Sequence, residues 1–328
     1  MKKYLCILLT ILGYNLHAQE MLGIRPSNYA GLQSLGINPT GIIDSRIQVD
    51  INILSAGFTI ENDYLFIPKK NLRLVGIGNI VDRVDAKDYL DDFVRGDVDK
   101  KNLNGGFSVM GPSVMFTLNK IHSLAFTTGL RGSVSVQDLL PEVAHYSYSE
   151  LEDPALYSND PKQFRARDFT FNAMVWQEYG LTYGTVFHNK DKHYLKGAVS
   201  LKYLSGVSGG YVRNADIYFN VADDSTMIFG PSKFEYGRVN YNTFDGKGGT
   251  DKSYNNGSGF GWDLGLTYEF RNDPATYQYE MDGETKQDPE ASKYKLRIGA
   301  SLIDMGRIKY DHNSRVFNIN SSDDLHVY

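Results

Sequence analysis

Residues 260–270 read Phe260-Gly261-Trp262-Asp263-Leu264-Gly265-Leu266-Thr267-Tyr268-Glu269-Phe270. Every even position is large and apolar, and every odd one is glycine, acidic or threonine. A helix repeats about every 3.6 residues, whereas a period of two sends alternate side chains to opposite faces of a strand. One face of this strand is therefore apolar along its whole length, and the other is small or charged. The design recurs on either side. Tyr294, Leu296, Ile298 and Leu302 oppose Lys295, Arg297 and Ser301. Leu195, Val199, Leu201 and Tyr203 oppose Lys196, Ser200 and Lys202, and Tyr179, Leu181, Tyr183 and Phe187 oppose Gly180, Thr182 and Gly184. Leu124, Phe126, Leu130, Val134 and Val136 oppose Ala125, Thr127, Gly129, Arg131, Ser133 and Ser135.

Nearer the N-terminus, Ile47, Val49, Ile51 and Ile53 alternate with Gln48, Asp50 and Asn52. The apolar parity then passes to Ala56, Phe58 and Ile60, which predicts a β-bulge near Leu54 or Ser55. Another strand covers Gly106–Leu118 and is interrupted at Gly111-Pro112. Tight turns are predicted at 119–122 and 189–192, and residues 211–241 add strands whose register the pattern does not fix. The fold class is all-β and antiparallel, with eight to ten strands.

Several of these runs reach 11 residues or more. Strands of soluble proteins average five or six, and about ten cross a bilayer at a tilt. Two architectures share the pattern. A secreted soluble β-sandwich binding a glycan or protein would pack its apolar faces together. A transmembrane β-barrel would turn them to lipid and line its lumen with the polar faces. Connection lengths favour the barrel: 61–103 and 137–169 are long, while 119–122 and 188–193 are short. Barrels alternate long extracellular loops with short periplasmic turns in this way. That reading makes 19–45 an irregular periplasmic N-terminal segment and 46–328 the barrel domain.

Residues 1–18 have the build of a cleaved signal peptide. Lys2 and Lys3 precede an apolar run from Tyr4 to Tyr14, and Ala18 is a small residue at the cut. The run is too short to span a bilayer. The chain's one cysteine, Cys6, lies within it, so the exported part lacks thiols for disulfides, metal binding or catalysis. Removing Lys2 and Lys3 leaves 32 basic residues against 39 acidic, a net charge of about −7. With no basic block, nucleic acid is not an expected partner. No later run is apolar enough for a membrane helix.

The residues that carry chemistry are scattered. Gly206-Val207-Ser208-Gly209-Gly210 has the spacing of a nucleophile elbow, but no helical pattern follows, so it reads as a glycine-rich strand end. Asp245–Thr250 has no apolar strand before it and reads as a loop tip, not a phosphate loop. His188 and His193 flank one turn as a solvated hairpin end. Asp97, Asp99, Asn102 and Asn104 depart from the EF-hand spacing. Asp223-Asp224 and Asp323-Asp324 suit solvated turns. An amphipathic pattern of Ile80, Val81, Val84, Leu90, Phe93 and Val94 predicts a surface helix in the first long loop. No catalytic, cofactor-binding or metal-binding residues are expected, and the chain is read as a non-enzyme.

Asn28-Tyr29-Ala30-Gly31, Ile37-Asn38-Pro39-Thr40 and Asp44-Ser45-Arg46 before a long first strand resemble the start of Bacteroidota outer-membrane barrels. Asn119–Phe126, Gly261–Gly265 and Ile298–Gly306 extend that resemblance over most of 21–310. The family it resembles is an uncharacterised barrel group, distantly similar to long-chain fatty-acid transporters and to barrels associated with type IX secretion. Asn38-Pro39-Thr40 stands where those groups commonly have Asn-Pro-Ala. The resemblance implies an outer-membrane location, lipid as a partner, and either passive transport of small or hydrophobic molecules or scaffolding of envelope and secretion machinery. Such barrels end in an aromatic-terminated strand, whereas Asn318–Tyr328 is polar. A barrel incomplete at its C-terminus is therefore expected.

Overall fold

The structure is a computed structural model describing residues 25–63, 100–140, 163–221, 227–239, 242–244, 250–252, 255–273, 276–288, 291–321 and 325–327. Residues 1–18, expected as a signal peptide, the helical pattern over 80–94, Asp97, Asp99, Asp223-Asp224 and Asp323-Asp324 lie outside the described residues, as does most of Asp245–Thr250.

The described chain is all-β and antiparallel, apart from two 3-10 helices, Gly31–Gly36 and Pro39–Ile42. The strands are Val49–Asn52 (β1), Ser55–Asn62 (β2), Lys101–Met110 (β3), Ser113–Thr117 (β4), His122–Leu139 (β5), Gln163–Arg167 (β6), Thr170–Lys190 (β7), His193–Val221 (β8), Met227–Phe229 (β9) and Lys233–Val239 (β10). After them come Asn242–Phe244 (β11), Thr250–Lys252 (β12), Gly257–Arg271 (β13), Gln278–Met281 (β14), Glu284–Gln287 (β15), Tyr294–Tyr310 (β16), Ser314–Asn320 (β17) and Leu325–Val327 (β18). β11–β12 and β14–β15 form small separate ladders, and the other 14 strands make one sheet.

Seven long passes build that sheet among the described residues, and the shorter β10 and β17 extend it. β1 with β2, and β3 with β4, are single passes broken at Ile53-Leu54 and at Gly111-Pro112. These breaks face each other, because β1 pairs with β4 and β2 with β3. Side chains stitch the gap: Asn52 donates to the carbonyls of Met110 and Gly111, at 3.1 and 3.0 Å, and Thr128 donates to that of Pro112. β5, β7 and β8 follow. β8 is longer than its apolar run, so 211–221 continues it and Gly206–Gly210 lies inside it, not at a strand end. Its first half pairs with β13, and its second half pairs with β10. β16 completes the sheet against β13, and β17 carries it on against β10.

The turns at 119–121 and 191–192 mark one end of the sheet, here the turn end. Asp191 has φ 55°, the left-handed conformation that a two-residue hairpin turn needs. The alternation of connection lengths does not persist, since 272–293 joins β13 to β16 at this end and contains the β14–β15 hairpin.

The sheet is strongly curled. β5 and β16 are separated by β7, β8 and β13, four spacings of about 4.8 Å. Yet Arg131 on β5 bonds Asp304 on β16 at 2.7 Å. At the turn end Arg46, just before β1, donates to the carbonyl of Ala291, just before β16. The two edges are thus one side chain apart there. Among the described residues no backbone ladder joins them, so the sheet is curled but not closed by strand pairing.

Burial is inverted relative to a soluble sheet. Phe58, Ile53 and Phe260 are 75–80% exposed, and Leu181, Leu201, Ile298 and Leu302 are exposed beside them. Asp263, Thr267, Glu269, Thr182 and Lys196 are 1–3% exposed. The apolar faces look outward and the polar faces look into the trough.

Candidate functional site

The trough gathers the buried polar and charged side chains of the sheet, and the N-terminal segment fills its turn end. That segment was expected as an irregular stretch outside the strands; it is instead folded into the sheet's concave face. Asn38 caps the second 3-10 helix by accepting from the backbone N–H of Thr40 at 2.9 Å. Leu32, Leu35, Ile42 and Ile43 bury against Met115, Ala125 and Ala198, the hydrophobic cluster of the described molecule. Each large side chain buried in this way is worth about 2 kcal/mol.

Polar contacts reach the segment from all around. The Leu32 N–H donates to Asp50 at 2.8 Å, and Gln33 donates to Ser55. Thr40 bonds Thr267 at 2.7 Å, Ser301 donates to the Ile37 carbonyl at 2.6 Å, and Asn38 to that of Ala300. Gly184 and Gly265 leave the room: a methyl at either would overlap Ile43 or Asn38. The strand pattern shows these as small residues on the polar face, and the segment that rests on them is the reason.

Charges lie in two layers. At the turn end, Lys196 on β8 donates to the Ile43 carbonyl at 2.9 Å and stands 3.6 Å from Glu269. Arg271 grips Glu269 at 2.9 Å, reaches Asp44, and stacks on the Tyr194 ring with 3.4 Å to its centroid. Lys293 bonds Asp44 at 2.8 Å, and Arg297 bonds Asn28 at 3.2 Å. Asp44 holds the left-handed φ of 55° and is the segment's anionic anchor. Burial pushes its carboxyl up, but Lys293 and Arg271 together outweigh this and hold it below its ordinary pKa.

Deeper in the trough, Lys202 bonds Asp263 at 2.7 Å, Asp304 at 2.9 Å and Glu178 at 3.5 Å. Arg131 forks onto both oxygens of Asp304, at 2.7 and 2.8 Å, and lies over Trp176. Asp304 reaches this position through a bulge in β16 opposite Asp263, with its φ at 59°. Its backbone N–H donates to Asp263 at 2.7 Å. Together these groups floor a cavity of about 460 Å³, bounded below by Gln33, Leu35 and Gly36 of the N-terminal segment.

Among the described residues these charges are paired with one another as an ionic lattice. Gly206–Gly210 makes room for Tyr310, whose ring meets Gly206 and whose hydroxyl donates to the carbonyls of Val175 and Ser208. His188 pairs in register with Leu195, whereas His193 pairs with Lys190 and bonds Tyr268 at 2.6 Å, so the two histidines do not converge. Asn102 bonds Asp63, and Asn104 bonds Ser135. Among the described residues no cluster of metal-binding side chains occurs. Sequence reading marked Lys196, Lys202, Asp263 and Arg131 as polar-face residues but did not link them; Asp44 and Asp304 carry no periodic signal.

No curated protein and no solved structure matches the chain. Residues 42–326 match a family of unknown function (DUF5723), and since that stretch takes in nearly the whole sheet, the chain belongs to this family.

Proposed function

We propose that this chain is a non-enzymatic outer-membrane β-barrel protein whose polar lumen passes small solutes and is occluded by its N-terminal segment. The inverted burial carries the reading. A sheet with phenylalanine, leucine and isoleucine on its open face and ion pairs on its covered face suits lipid outside and a polar lumen inside.

Aromatic placement supports it. Near the turn end Tyr183 bonds His122 at 2.8 Å, and Tyr268 bonds His193. Towards the other end Tyr203 packs on Tyr179 and on Phe260, with centroids 6.5 and 5.8 Å apart. From His193 to Tyr203 a strand advances about 33 Å, or about 25 Å along the normal at a 40° tilt, the height of an outer-membrane apolar band. The cavity sets the paired charges of Arg131, Glu178, Lys202, Asp263 and Asp304 beside a wall that is largely apolar, and it is the charges that support small solutes as the cargo. The Gly111-Pro112 break in the wall is stitched by hydrogen bonds from Asn52 and Thr128.

Expression with the chain's own leader, followed by envelope fractionation and carbonate extraction, tests this. Outer-membrane recovery that resists carbonate is expected. A product soluble without detergent would overturn the reading and restore the secreted β-sandwich.

A further inference from the structure

The trough pairs its cations; the outer face does not. In the β13–β16 ladder Met305 lies opposite Trp262, Arg307 opposite Phe260 and Lys309 opposite Ser258. Directly opposed residues share a face. Arg307 and Lys309 therefore stand on the open face, immediately beyond the rim made by Trp262, Phe260 and Met305. Further along, Arg238 on β10 is directly opposite Arg315 on β17. Side chains so placed start about 5 Å apart, and like charges there repel.

All four cations are exposed. Among the described residues none of them has a carboxylate partner; Arg238 contacts the Phe317 ring, 5.9 Å from its centroid. Asp311, two residues beyond Lys309, is bonded to His312 at 2.7 Å. A repulsive pair kept without a counter-charge is a standing cost unless an anion relieves it. A defence against edge-to-edge pairing also places charges on outer strands, but it does not explain Arg238, whose strand is paired on both sides. The Lys309 and Arg238 rows cross β8 at Ser205 and Gly210, about 14 Å apart along the strand.

We propose that Arg307 and Lys309, with Arg238 and Arg315 beyond them, form a binding site for the headgroup of an outer-leaflet lipid bearing two phosphates. The inference rests on the membrane reading above. The apolar rim directly beneath supplies the seat for acyl chains, which makes the ligand a lipid and not a free anion.

The test folds the full chain into phosphatidylcholine vesicles doped with diphosphoryl lipid A, extracts it in mild detergent, and weighs the lipids retained by mass spectrometry. Preferential retention of lipid A is expected. It should weaken with rising salt and fall about tenfold in Arg307→Gln/Lys309→Gln and in Arg238→Gln/Arg315→Gln. Retention equal to that of phosphatidylcholine, unchanged in both double variants, or independent of salt in the native chain overturns the proposal. So does displacement by inorganic phosphate at the same concentration as the lipid. A chain that never inserts into the vesicles sinks the membrane reading as well, whereas insertion without headgroup preference sinks this inference alone.

Discussion

Asp263 shows what individual charges contribute. Its side chain is 2% exposed and depends on Lys202 and on the Asp304 backbone N–H. Lys202→Met leaves it a buried, uncompensated anion, and breaking such a pair costs about 3 kcal/mol or more. The variant should lose the folded-state gel mobility of unboiled samples at lower urea than the native chain, while Lys202→Arg largely retains it; equal midpoints for Met and native would refute the role. Asp44 gives a pH dependence. Its folded pKa lies below the ordinary 3.8, so its contribution is present above that value and lost as pH falls through the folded one. Arg271, Lys293, Lys196, Glu269 and Tyr194 are the charged and titratable groups around it. Pepsin cleavage within 25–43 should therefore rise below about pH 4 in the native chain. Asp44→Asn should be cut more readily even at higher pH, without that acid step. These two carboxylates illustrate the limit of sequence reading: Asp263 falls on a polar face by period, but nothing periodic marks Asp44.

At the scale of elements, the alternation predicted every long pass and both breaks, because a period of two is a direct record of which face meets which solvent. It failed where small residues interrupt the apolar face. Ser205 to Gly210 lacks large outward side chains, so the run looked finished, although the backbone ladder of β8 continues to Val221. The glycines are there for close approach, as Tyr310 on Gly206 shows. Gly306 is the sharper case: a Cβ there would lie 2.6 Å from the Phe260 carbonyl oxygen and 2.7 Å from the Gly261 Cα. Gly306→Val should unzip the upper half of the β13–β16 ladder. Amide exchange should then quicken at 257–262 and 305–310 while 264–270 stays protected. Uniform protection across β13 would show that the backbone accommodates the side chain.

The shape of the whole molecule follows from contacts that sequence alone does not order. Arg131 and Asp304 are 173 positions apart, and their pairing fixes the curl. The N-terminal segment reads as irregular because its order comes from the trough, not from its own period. On the proposed function, its place there governs what the lumen can pass. Thr40, Asp44 and Asn38 tie it to β13, the approach to β16 and β16, while Leu32, Leu35, Ile42 and Ile43 make it adhere. Asp44→Ala/Lys293→Ala removes the anchor and one of its two cationic partners together, leaving Arg271 paired with Glu269 and no new buried charge. The sheet should therefore stay intact while the segment is held less firmly. In liposome swelling with a small uncharged sugar, the native chain should conduct slowly and the double variant several-fold faster, with both showing the same heat-dependent mobility. A variant that folds normally yet swells no faster would mean that the segment is a structural part of the wall, with the cavity above it closed at both ends.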